Sequence, residues 1–286
     1  MKHIIGGKPA QGRAPVQAPA ARIVEVDAES AGQRLDNFLI RHLKGVPKTH
    51  VYRIIRSGEV RLNKGRGVAV HGGSGVSFGV IEQLRQARQE ARFLELVHRL
   101  DRETSGILLV AKRRSALKHL QDQFRERETG KTYLALVPGA WPANKKVIDL
   151  PLHKYLQEDG ERRVRVTTPQ DSDGMRSITL VKVRSHLPAR PLQGLPAMSL
   201  LEVTIKTGRT HQIRVHLASQ GHPIAGDDKY GDFDLNRRLQ KQGLRRMFLH
   251  AWRLQFDHPA SGERMELRAE LPPELAAFLS TGHIDA

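Results

Sequence analysis

The segment His98-Arg99-Leu100-Asp101-Arg102-Glu103-Thr104-Ser105-Gly106 runs straight into Ile107-Leu108-Leu109-Val110-Ala111. The second half is a continuous apolar run, which predicts a strand buried on both faces. The first half then forms a loop at the mouth of that strand, with a carboxylate, Asp101, flanked by Arg99 and Arg102. Loops held by rigid strands are where reactive side chains usually lie. An acid among arginines has two readings: a carboxylate kept for chemistry, or an Asp that caps a turn and pairs with a neighbouring Arg. Residue types alone leave both open.

Working outward, Ser115 is a candidate cap for a helix carrying Leu117, Leu120 and Phe124 on one side, with Gly130 closing it. Tyr133 to Val137 reads as a strand. Leu201, Val203 and Ile205 alternate as a strand does, and Ile213 and Leu217 lie one helical turn apart. Leu187 to Ala197, rich in Pro and Leu, reads as an insertion between strands. Strands outnumber helices and hairpins fit better than regular crossovers. The expected class is α+β, a mainly antiparallel or mixed sheet flanked by helices.

Upstream, Arg34 to Arg66 holds nine Lys or Arg against only Asp36 and Glu59. Leu35, Phe38, Leu39, His42 and Leu43 recur at helical spacing after Ser30, and Thr49 can cap a second short helix ended by Gly58. Arg34, Lys48, Arg53, Arg56 and Lys64 are candidates for gripping an RNA backbone. The plainer reading is a small helical cap with a solvated basic face. Gly, Pro, Ala and Gln scattered through residues 1–21 predict a flexible tail. The expected organisation is tail 1–21, basic helical segment 22–66 and main domain 67–286.

A formal charge of +17, from 47 Lys and Arg against 30 Asp and Glu, points to a polyanionic partner. There is no cysteine, so disulfides, thiolate zinc sites and cysteine nucleophiles are excluded. No apolar stretch approaches the roughly 20 residues that cross a bilayer. With no secretory signal read at the start, a cytoplasmic location away from membranes is expected. No Walker loop or His-Glu-x-x-His is present. Gly73, Gly75 and Gly79 miss the dinucleotide spacing by one place, and Ser74 lacks the second glycine of a nucleophile elbow. Fourteen histidines show no paired helical spacing around a carboxylate, so no metal is expected.

His98 to Gly106, continued by Ile107 to Lys112, resembles the signature of the RluA family of pseudouridine synthases. The resemblance recurs at Lys131-Thr132-Tyr133-Leu134-Ala135-Leu136-Val137, at Thr207 to His216, at Gly221-His222-Pro223-Ile224-Ala225-Gly226-Asp227 and at Phe248-Leu249-His250-Ala251. It covers essentially everything from Gly67 to Pro272. Val70 to Gly75 and Arg92 to Val97 look closest to the branch acting on 23S, large-subunit ribosomal RNA. Gly32 to Leu39 and Ile55 to Lys64 resemble the helical half of an S4 RNA-binding domain.

The resemblance implies a pseudouridine synthase fold and a reaction that detaches a uracil, turns it and rejoins it through carbon 5. Nothing is added or lost, so no cofactor is implied. Asp101 matches the catalytic carboxylate, which either attacks covalently or takes a sugar proton. Arg214 matches the arginine paired with it. Tyr133 matches the tyrosine that stacks on the extruded base and accepts a proton. Arg99 matches the residue entering the vacated stack, and Arg209 and His211 join it as RNA-contacting candidates. Arg237, Arg238, Lys241, Arg245 and Arg246, with no acid among their neighbours, are expected on RNA phosphates. A monomer bound to 23S ribosomal RNA is the expected working state.

One departure stands out. Leu62-Asn63-Lys64-Gly65-Arg66 runs directly into Gly67-Val68-Ala69-Val70-His71, where the family completes a hairpin and crosses a linker. The join reads as if roughly 50 or more residues between the two contexts were absent. The alternatives to an active large-subunit enzyme are a non-catalytic RNA-binding or ribosome-assembly factor derived from it, or a synthase acting on transfer RNA or small-subunit RNA.

Overall fold

The structure, a computed structural model, describes residues 79–158 and 161–280, together with positions 41 and 47. Contacts divide the chain into two compact units, Met1–Arg56 and Ser57–Ala286. The tail, the S4-like segment, the junction at 62–67 and the Val70 to Gly75 motif lie outside the described residues.

In chain order the second unit contains α1 (Val80–Ala87), β1 (Glu95–Leu96), β2 (Ser105–Gly106), β3 (Val110–Ala111), α2 (Arg114–Glu126), β4 (Gly130–Pro138) and β5 (Val147–Asp149). There follow β6 (Leu152–Leu156), β7 (Arg162–Val166), β8 (Ile178–Leu187), a 3₁₀ turn (Pro191–Gln193) and β9 (Met198–Ile205). The last elements are α3 (Gln212–Ser219), α4 (Phe233–Lys241), β10 (Leu249–Asp257), β11 (Arg264–Arg268) and α5 (Pro273–Ser280). One seven-stranded sheet runs β11-β10-β4-β9-β8-β5. These neighbours pair antiparallel, and β2 joins β10 in parallel through His250↔Ser105 and Ala251↔Gly106. The class is α+β with a mixed, mainly antiparallel sheet, as the sequence predicts.

The central strands are covered on both sides. Successive residues of β4 alternate between faces. Leu134 and Leu136 pack with Leu235, Leu239, Leu275 and Phe278 of α4 and α5. Ala135 and Val137 pack with Leu201, Val203 and the α3 residues Ile213 and Leu217. Two-sided cover explains why β9 buries Leu200 as well as Leu201, Val203 and Ile205, so its burial does not alternate throughout. Each fully buried Leu contributes about 1.5–3 kcal/mol, and the site sits where this packed layer meets the loops. Among the described residues no helix is long and apolar enough to cross a membrane.

Two local expectations are corrected. Ile107 to Ala111 is not one strand buried on both faces: residues 107–109 leave the ladder, and only Ala111 is fully buried. The run changes partner, from β10 at Gly106 to β1 at Val110, and its apolar side chains fill the seam beneath α2. Ser115 lies inside α2, whose N-cap is Arg113, and the helix ends on Arg127 in the left-handed region (φ 66°). Gly130 opens β4 instead of closing the helix.

Candidate active site

The loop from His98 to Gly106 is tied down at several points, leaving the Asp101 carboxylate to face a cavity. His98 Nε2 accepts the Leu109 N–H at 3.1 Å, and its ring stacks on Phe124 at 4.7 Å. Burial pushes the imidazole down to about 4, so it is neutral near pH 7 and serves as a structural brace. The Asp101 carbonyl accepts the Thr104 N–H (2.9 Å), Arg246 Nη2 donates to the Glu103 carbonyl (2.9 Å), and Ser105 Oγ hydrogen-bonds His250 Nδ1 (2.9 Å). Gly106 has φ +110°, and a Cβ there would stand 2.2 Å from the Ala251 carbonyl oxygen. Only glycine allows this approach of the loop to β10.

Helix α3 brings the opposing cation. His211 takes a left-handed conformation (φ 52°) at its start. Gln212 then anchors the first turn: Oε1 accepts from Thr207 Oγ1 (2.7 Å) and the Arg209 N–H (3.1 Å), while Nε2 donates to the Ile178 carbonyl and Thr179 Oγ1 (3.0 Å each). With Ile213 and Leu217 against the sheet, Arg214 projects towards the Asp101 loop.

The Arg214 guanidinium hydrogen-bonds two acids, with the exposed Asp228 carboxylate 3.9 Å away. Nε and Nη2 donate to the two oxygens of Asp227 at 2.8 and 2.7 Å, a forked pair, while Nη1 reaches Asp101 Oδ2 at 3.4 Å. Asp227 is fully buried and also accepts the Lys229 and Tyr230 N–H groups (2.8 and 3.0 Å). Burial alone would raise its carboxyl, but the Arg214 hydrogen bonds and charge outweigh that and hold it below the ordinary value. Burial likewise opposes the charge on Arg214, yet Asp227 and Asp101 keep the guanidinium above its ordinary range. Gly226, at φ +78° with a Cβ position 2.2 Å from the Arg246 carbonyl oxygen, permits the turn that delivers Asp227.

The other side of Arg214 faces Tyr230, whose ring centroid is 5.1 Å from Cζ. The Tyr230 hydroxyl accepts the Val164 N–H of β7 (3.1 Å) and hydrogen-bonds His211 Nδ1 (2.8 Å). Burial pushes that phenol up to about 12 and lowers His211, so both are neutral near pH 7. Tyr133 is raised as well, first by burial and then by the Asp101 charge, so its hydroxyl stays protonated.

Asp101, Tyr133, Arg214, Arg99, Arg209 and His211 all line one cavity of about 390 Å³. Arg99 is exposed at its edge. Arg34, Lys48, Arg53, Arg56 and Lys64 lie outside the described residues. Asp101 pairs across 113 positions with Arg214, and the neighbouring Arg102 pairs with Glu103 instead. Sequence reasoning missed Asp227, Tyr230 and Gln212 as parts of the site. Asp227 sits in a segment already marked as a motif, but no periodicity links it to Arg214, 13 residues earlier.

The basic cluster at 237–246 needs correction. Arg237 pairs with Asp234 one turn earlier on α4, and Arg246 pairs with Glu274 of α5, so acids are at hand. Arg238, Lys241 and Arg245 are exposed without an ion pair among the described residues. Away from the cavity, His153, Asp171 and Asp173 bring donor atoms within 4.8 Å. Asp171 there already accepts from Thr167, His153 and the Asp173 N–H.

The RNA pseudouridylate synthase family profile matches residues 60–219. The ribosomal large subunit pseudouridine synthase C of Yersinia pestis is 43% identical over 313 residues, covering 90% of this chain and 94% of its own length. That of Escherichia coli K12 is 44% identical over 321 residues, with 92% and 97% covered. An aligned length of 313 residues exceeds the 286 of this chain, so the alignment includes relative residues with no counterpart here. Among solved structures, human RNA pseudouridylate synthase domain containing 4 superposes with TM-score 0.58 at 26% identity, over 76% of this chain and 87% of that one. Human RNA pseudouridylate synthase domain containing 1 gives 0.55 at 30%, over 69% and 78%. With the profile spanning more than half of the chain and relatives this similar along nearly their whole length, the chain belongs to the RNA pseudouridylate synthase family.

Proposed function

We propose that this protein isomerises specific uridines of large-subunit, 23S ribosomal RNA to pseudouridine, with Asp101 as the catalytic carboxylate. The observation that carries the reading is the Asp101 carboxylate facing a 390 Å³ cavity, 3.4 Å from the buried guanidinium of Arg214. The RNA class comes from the relatives, which are named as large-subunit enzymes.

The reaction breaks the bond from N1 to the ribose and forms one from carbon 5, while a proton leaves carbon 5 and one is gained at N1. Asp101 assists the first cleavage by adding covalently or by taking a sugar proton. Arg214 sets a buried positive charge 3.4 Å from it, facing the cavity where the substrate is bound. Tyr133 supplies a flat ring for the base, and its protonated hydroxyl offers a hydrogen bond and no stored phenolate. Extruding a nucleotide costs a few kcal/mol, and Arg99 at the edge of the cavity fills the gap with a planar cation. Arg209 and His211 complete the contacts to the extruded residue. The protein acts in the cytoplasm as a monomer, on RNA alone.

Pseudouridine mapping of 23S ribosomal RNA from cells lacking the gene tests this. Sites that disappear and return with the wild-type gene are expected. An unchanged map would sink the assignment.

A further inference from the structure

Lys131 belongs to the wall of the cavity and has no partner there. Its residue exposure is 9%, and its ammonium has neither a carboxylate nor a hydrogen-bond acceptor among the described residues. The contact it makes is with the Phe124 ring, 5.4 Å from Nζ to centroid, and a Cβ on Gly208 would lie 3.9 Å from the same atom. Burial first, and then the charge of Arg127, lowers its pKa. The ammonium opens onto the cavity with no carboxylate among the described residues to offset its charge, so the cavity offers an uncompensated cation to an anionic ligand.

Position decides which anion. Lys131 and Tyr133 are two apart on β4 and share a face, which separates their Cα atoms by roughly 7 Å. The ammonium stands on the α2 side, with Phe124 and Arg125 beside it in the cavity wall, and Arg127 is the charge it feels. Asp101, the one carboxylate among the described lining residues, lies towards Arg214 instead. An extruded nucleotide presents its sugar to Asp101 and its base to the Tyr133 ring. Its remaining charged group is the phosphodiester.

We propose that Lys131 binds a non-bridging phosphate oxygen of the extruded nucleotide, from the unpartnered position on β4 beside Phe124 and Gly208. This rests on the reading that the cavity accepts a flipped uridine. A single charge-assisted contact of this kind contributes roughly tenfold in affinity and one phosphate in the salt dependence.

The test uses the full chain, a 23S ribosomal RNA transcript, and the variants Lys131→Gln and Lys131→Arg. Binding is measured across a KCl series, with single-turnover rate at saturating RNA and a thermal melt for each protein. The Gln variant should bind about tenfold more weakly. Its slope of log K against log[KCl] should be shallower by about 0.7–0.9, and Arg should restore affinity and slope. Its melting temperature should change little, because no hydrogen bond or ion pair is lost and only the contact with the Phe124 ring weakens. Unchanged affinity and slope would overturn the proposal. So would a loss confined to the saturated rate, which would place the ammonium on the departing base, or a lowered melting temperature that Arg restores without restoring the slope. If wild-type protein turned over no RNA, the functional reading would fail while the slope still decided Lys131.

Discussion

Arg214 divides its guanidinium unequally between two acids. The short fork to Asp227 fixes the plane of the group, and the single 3.4 Å contact leaves Asp101 loosely held. A carboxylate clamped by both guanidinium donors would be a poor nucleophile or base; one held by a single long contact keeps lone pairs for the sugar. Asp227→Asn keeps the shape and removes the charge, leaving Asp101 and the exposed Asp228 as the counter-ions. We expect about a hundredfold loss of turnover, as for comparable misplacement of a catalytic group. Stability should fall by about 3 kcal/mol, the size expected when a buried pair loses one partner. Because the folded pKa of Asp227 lies below its unfolded one, its contribution is present above the ordinary carboxylate range and is lost as pH falls through the lowered value. Urea denaturation at a series of pH values should show the wild-type advantage over Asp227→Asn shrinking at acid pH. A constant difference would contradict that account. Asp101, Tyr133 and Arg214 were legible in the sequence because each sits inside an ordered motif. Asp227 and Lys131 sit in such motifs too, but their roles depend on what faces them across the fold, which no spacing records.

At the level of elements, the Asp101 loop depends on a close approach that a short pairing permits. β2 is two residues long, yet it pins the loop to the start of β10, where Gly106 meets Ala251. Gly106→Ala requires the backbone to move, since φ +110° is strained for any L side chain and the new methyl would overlap the Ala251 carbonyl. A loss of about 1–3 kcal/mol is expected by denaturant titration, with turnover reduced more than RNA binding. Equal turnover would show that the loop is not positioned this way. The sequence made the strand existence of β4 and β9 and the α3 segment readable, because long apolar runs and turn-spaced apolar pairs survive burial on both faces. It misread Ile107 to Ala111 because an apolar run looks the same whether it stays in one sheet or crosses between two. The caps of α2 were misread for a related reason: Ser115 and Gly130 are competent cap residues, but the ladder of β4 claims Gly130.

On the whole molecule, the charge of +17 gives RNA a long-range attraction that falls with salt. The basic stretch of α4 and the loop after it divides by pairing. Arg237 and Arg246 already face Asp234 and Glu274, whereas Arg238, Lys241 and Arg245 do not. Replacing those last three with Gln should flatten the salt slope of RNA binding by about 2–3, and Arg237→Gln alone should change it little. Equal effects from both would remove the distinction. The class of fold and the polyanionic partner follow from patterning and composition, which report on the chain as a whole. The cavity itself was not legible, since it forms where α2, β4, β9 and α3 converge from distant parts of the chain.

The central claim is that the Asp101 carboxylate performs the isomerisation. Asp101→Asn is nearly isosteric and removes only the charge, so purified wild-type and variant proteins should be incubated with the same 23S ribosomal RNA transcript and the pseudouridine formed should be mapped and counted. The account predicts site-specific pseudouridine with wild type and none with Asp101→Asn, while both bind the transcript; pseudouridine at the wild-type level from the variant would contradict it.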